Sequence, residues 1–103
     1  MVWTRLELHD LLMDILGSSN VYYQPPESFK IQYPCIVYNR TDIDALHADD
    51  NPYIKRHRYL VTHIGYDPDD PVVEEMAGIR GFSYDRHFTS DGLHHDVFTF
   101  TTQ

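Results

Sequence analysis

Seven histidines, sixteen carboxylates and a single thiol in 103 residues are the groups that could carry chemistry in this chain. His57, His63, His87, His94 and His95 fall in or near segments of strand character. Two ligands to one ion on a strand must be two residues apart, because successive side chains point to opposite faces. His94 and His95 are adjacent, so they diverge. His57 and His63 share a side, but six residues of extended chain hold them about 20 Å apart. What remains is a metal site assembled across strands from His63, His87 or His95, and no zinc-type spacing accompanies it. Asp67, Asp69 and Asp70 begin like a calcium loop. The glycine and closing glutamate that such a loop requires are missing, and Pro68 and Pro71 interrupt its frame. Cys35 lies in the apolar run Cys35-Ile36-Val37-Tyr38, where a buried, unreactive thiol is expected. There is no nucleophile elbow and no glycine-rich phosphate loop. The residues therefore point to no catalytic group, no bound metal and no cofactor. A small metal-dependent or histidine-based hydrolase is the distant enzymatic alternative.

Charge is more informative. Sixteen acids against eight bases give a net charge of −8. Such a chain repels a phosphate backbone, so general nucleic-acid binding is not expected, although an acidic protein can surround DNA that slides past it. Asp42, Asp44, Asp49 and Asp50 stand in a stretch from Thr41 to Pro52 without Lys or Arg. Periodicity is lost there, and Asn51-Pro52 signals a turn, so an exposed excursion is expected. Lys55-Arg56-His57-Arg58 follows at once. A basic cluster this short pairs with carboxylates, within or between subunits, more readily than it binds nucleic acid. Asp42, Asp44, Asp49, Asp50, Lys55, Arg56 and Arg58 are accordingly the candidate interface residues, facing another subunit or a partner. Eight tyrosines suit both strands and interfaces.

These groups are positioned by a short series of elements. Thr4 and Glu7 have capping-box spacing. Leu8, Leu11, Leu12, Ile15 and Leu16 then form one apolar stripe, and Gly17 stops the helix. Strands are expected over Val21–Tyr23, ended by Pro25-Pro26, and over Cys35–Asn39. The longest runs from Tyr53 to Tyr66, with apolar residues on both faces; it suits a central strand covered by a helix on one side and by a further layer or another subunit on the other. Asp70 as N-cap with Pro71 at the first helical position opens a second helix, with Val72, Val73, Met76 and Ile79 inward. Phe82–Phe88 and Leu93–Thr101 form a hairpin across Thr89-Ser90-Asp91-Gly92. The expected fold is a single α+β domain over 1–103. It is a two-layer sandwich, a mainly antiparallel sheet of four or five strands with two helices on one face. No stretch has the length of a membrane span and the N-terminus has no signal-peptide pattern, so a soluble, reducing compartment is expected.

Several segments resemble a family of small proteins of long-tailed phages, the tail-completion, tail-terminator or minor neck proteins of the head–tail junction. They are Val21-Tyr22-Tyr23-Gln24-Pro25-Pro26-Glu27-Ser28, Tyr33-Pro34-Cys35-Ile36-Val37-Tyr38, Asp42-Ile43-Asp44, Ala48-Asp49-Asp50 and Arg58-Tyr59 with its following strand. Asp67-Pro68-Asp69, Phe82-Ser83-Tyr84-Asp85-Arg86-His87 and His94-His95-Asp96-Val97-Phe98-Thr99-Phe100 complete the series. The resemblance implies a structural virion protein, a subunit of a ring, typically a hexamer, that caps the tail tube and meets the head–tail connector. Its partners would be further copies of itself, the tail-tube protein and the connector or stopper protein. DNA would only pass through the lumen, and no membrane would be involved. A head-completion or stopper role in the same neck is the alternative. The family supplies no catalytic residues.

Overall fold

The computed structural model describes residues 4–26, 28–48 and 51–102. The chain runs α1 (Arg5–Leu16), β1 (Val21–Tyr23), β2 (Cys35–Ala48), β3 (Asn51–Gly65), α2 (Pro71–Ala77), β4 (Phe82–Ser90), β5 (Leu93–Thr101). This is an α+β two-layer sandwich of five strands in the order β1-β2-β3-β5-β4. Every pairing is antiparallel except that of β1 with β2.

Local signals set the element ends. Thr4 caps α1 by accepting from the Glu7 amide at 3.2 Å, and Gly17 closes it in the left-handed region at φ 76°. Asp70 Oδ1 accepts from the Val72 amide at 3.0 Å, with Pro71 following as the first helical residue. The helix ends at Ala77, so Ile79 lies beyond it, and Met76 is its fully buried side chain. In the β4–β5 hairpin, Ser90 pairs with Leu93, and the two-residue turn is Asp91-Gly92, with φ 54° and 75°. Two consecutive positive φ values mark the turn that matches strand twist, and Asp-Gly is a sequence that accepts it.

Register sorts the side chains into rows. Across β2, β3, β5 and β4, one face carries Ile36–His63–Asp96–His87, Tyr38–Val61–Phe98–Tyr84 and Arg40–Tyr59–Phe100–Phe82. Leu8 and Leu12 of α1 and Met76 of α2 pack onto this face, in one core with Ile36, Tyr38, Tyr59, Val61, Phe98 and Phe100. Each buried aliphatic side chain of this kind contributes about 1.5–3 kcal/mol. The other face carries Cys35–Ile64–His95–Phe88, Val37–Thr62–Val97–Arg86 and Asn39–Leu60–Thr99–Ser83. No helix covers it among the described residues. Only the segment between β1 and β2 folds over its margin, where Tyr22 meets Phe29 edge-on and its hydroxyl accepts from the Gln32 amide.

One sequence expectation is corrected. Within Thr41–Pro52 the described residues are strand and not an irregular excursion: β2 continues to Ala48 and β3 begins at Asn51. The alternation is lost because the register shifts between Arg40 and Asp42 and again between Leu46 and Ala48. Each extra residue resets the side-chain period, so a continuous strand reads as aperiodic.

Candidate assembly interface

β3 pairs with β5 only from Arg58 onward, whereas β2 and β3 stay paired out to Ala48 and Asn51. Beyond the sheet, residues 43–48 and 51–56 therefore form a two-stranded arm, about 20 Å long at the ordinary rise per residue. It accounts for the elongated shape, 52 × 30 × 23 Å. At the root of the arm, Arg58 Nη1 donates to Asp42 Oδ2 at 3.2 Å, with both side chains about half exposed. Further out the register sets Asp44 opposite Arg56 and Lys55 opposite Ala45. Five of the seven candidate interface residues thus sit on this arm or at its root; Asp49 and Asp50 lie outside the described residues. An exposed pair such as Asp42–Arg58 contributes about 0–1 kcal/mol and so adds little to stability. Ile43, beside it, is 49 % exposed.

Two further surfaces accompany the arm, and only the first, the β4 edge, was missed in the sequence. β4 is an edge strand, and its side chains are exposed from Ser83 to Ser90, Tyr84 and Phe88 among them. Such an edge offers unpaired backbone groups to another chain. The open sheet face beside it presents half-buried Val37, Leu60, Thr62 and Thr99. The apolar character of residues 53–66 on both sides is the sequence signal that assigned this face to a further layer or another subunit, since it exceeds what helices on one face can cover.

The histidines take separate places. His63 is buried on the helical face, its Nε2 3.5 Å from Asp70 Oδ2. Burial pushes its pKa down, opposed by Asp70 and then Asp96. Asp96, also buried, accepts from the Tyr84 hydroxyl at 2.9 Å. The Tyr84 phenol is raised by desolvation, by that hydrogen bond and by the Asp96 charge. His87 and His94 stack at the exposed end of the same face, while His95 stacks on Phe88 on the opposite face. His63 and His87 therefore share a face that His95 does not. Among the described residues, no three His, Cys, Asp or Glu side chains converge on a point that could hold an ion. Cys35 is buried, its thiol pushed up to about 12 by desolvation. No helix among the described residues is long and apolar enough to cross a membrane. Comparison with family models, curated proteins and solved structures finds no match to this chain.

Proposed function

We propose that the chain is a structural, non-catalytic subunit of a ring, a tail terminator or tail-completion protein joining a phage tail tube to the head–tail connector. The observation that carries this reading is the arm. Among the described residues no third strand lies beside it, and a lone two-stranded ribbon is marginally stable in water and gains its stability by packing on something else. Arm, bare β4 edge and open sheet face are different surfaces of one molecule, and contact between unlike surfaces of successive copies is the head-to-tail geometry that closes into rings. The segments that resemble tail-completion proteins include both the root of the arm and β4, which is consistent with it. The net charge of −8 suits a ring through which DNA passes without being held.

Electron microscopy of the purified chain, alone and mixed with isolated tail tubes, tests the reading. Rings with a central opening, seated at one end of the tubes, are expected. A chain that stays monomeric at every concentration and leaves tube ends bare overturns it.

A further inference from the structure

One cleft gathers basic side chains in this acidic molecule. It has a volume of about 250 Å³ and is lined by Thr4 and Arg5 from the start of α1, Arg40 from β2, and His57 and Tyr59 from β3. It lies where the first turn of the helix meets the sheet, beside the root of the arm. Arg40 and Tyr59 are cross-strand partners, and His57 stacks on Tyr59.

The two arginines have unusual surroundings. The Arg5 guanidinium lies 4.5 Å over the centre of the Tyr23 ring. Burial raises the Tyr38 and Tyr59 phenols, and Arg5 and Arg40 respectively pull against that rise, so each cation lies beside a phenol. Among the described residues, neither arginine has a carboxylate within 4.0 Å, although the chain has twice as many acids as bases. Among the described residues, His57 Nδ1 is buried without a hydrogen-bond partner. Its backbone is fully engaged, the amide donating to Thr102 Oγ1 and the carbonyl accepting from the Thr102 amide, so the ring is held in place. The one carboxylate in the adjoining helical turn, Glu7, is occupied by the Thr4 hydroxyl at 3.1 Å.

We propose that this cleft, lined also by His57, binds an oxyanion, a carboxylate or phosphate group, between Arg5 and Arg40. Guanidinium groups present forked N–H donors that match the paired oxygens of either anion. The start of α1 adds the positive end of its backbone dipole on the same side. The site is independent of the ring reading: it stands if the chain proves monomeric. Two sources share this chemistry, free phosphate and a carboxylate of another protein chain.

The full chain titrated separately with inorganic phosphate and with acetate, followed by calorimetry and by amide chemical shifts, tests the proposal. Saturable, salt-sensitive binding is expected, with shifts confined to residues around 4–5, 40 and 57–59. Binding of phosphate alone assigns the site to free phosphate, and binding of acetate as well assigns it to a protein carboxylate. Arg40→Gln, at an exposed position, should abolish binding and Arg40→Lys should retain part of it. Arg86→Gln, whose guanidinium lies 3.6 Å from Asp85 on a distant strand, should leave binding unchanged. Saturation by neither anion, or equal binding by the Arg40→Gln chain, overturns the assignment.

Discussion

Replacing residues 44–56 by Asn-Gly removes the arm beyond the Ile43–His57 pair while keeping the Asp42–Arg58 ion pair and the entire sheet. The ladder of the arm involves only β2 and β3, and β5 does not run alongside it. A free two-stranded ribbon is close to neutral in stability, so its removal should change the unfolding free energy by no more than about 1 kcal/mol. For a domain of this size that is a shift of roughly 4–8 °C in Tm. Phe98→Ala supplies the contrast. Phe98 is fully buried and meets Phe82 and Tyr84 edge-on at 6.1 and 5.2 Å. Its truncation should cost about 3–5 kcal/mol, a large part of the 5–15 kcal/mol available to an ordinary domain. Urea unfolding of the three chains measures the stabilities, and sedimentation velocity measures assembly. The arm-less chain should unfold almost like the unaltered one and fail to form rings. A loss above about 3 kcal/mol would show that the arm belongs to the folding core, and normal rings would show that the contact lies elsewhere; either result refutes the reasoning.

Stability should also depend on His63. Its folded pKa lies below the ordinary 6.5, so the unfolded chain takes up the proton first as pH falls. This contribution is fully present above pH 6.5 and is lost as pH drops from there towards the folded value; unfolding of His63→Gln should show a flatter profile across that window. Gly81→Ala should destabilise by about 1–3 kcal/mol, because Gly81 has φ 100° and an added Cβ would stand 2.8 Å from Phe100 Cε1; equal Tm values for the two chains would contradict this. Cys35 should resist a thiol reagent in the native chain at pH 8 and react once unfolded, and fast labelling of native protein would contradict its burial with a thiol at about 12.

Sequence by itself determined the features whose causes are local. Thr4, Gly17, Asp70-Pro71 and Gly92 act through backbone groups a few residues away, so both ends of α1, the start of α2 and the place of the hairpin turn within residues 89–92 are legible without knowing the fold. The buried Cys35 follows from its apolar neighbours, and the α+β layering from the order of periodic segments. Tertiary structure alone decided how the strands are ordered. β5 lies between β3 and β4, and β1 runs parallel to β2, because these choices depend on pairings between residues distant in the chain. It also decided the fate of the acidic stretch. Asp42 and Asp44 lie in a strand whose backbone register sets them opposite Arg58 and Arg56, a pairing between residues well apart in the chain, and two register shifts erase the alternation that would have announced it. The cleft was least legible of all. Arg5, Arg40 and His57 are far apart in sequence and separately unremarkable, and only a helix start packed across two strands brings the two guanidinium groups and the imidazole to one cleft.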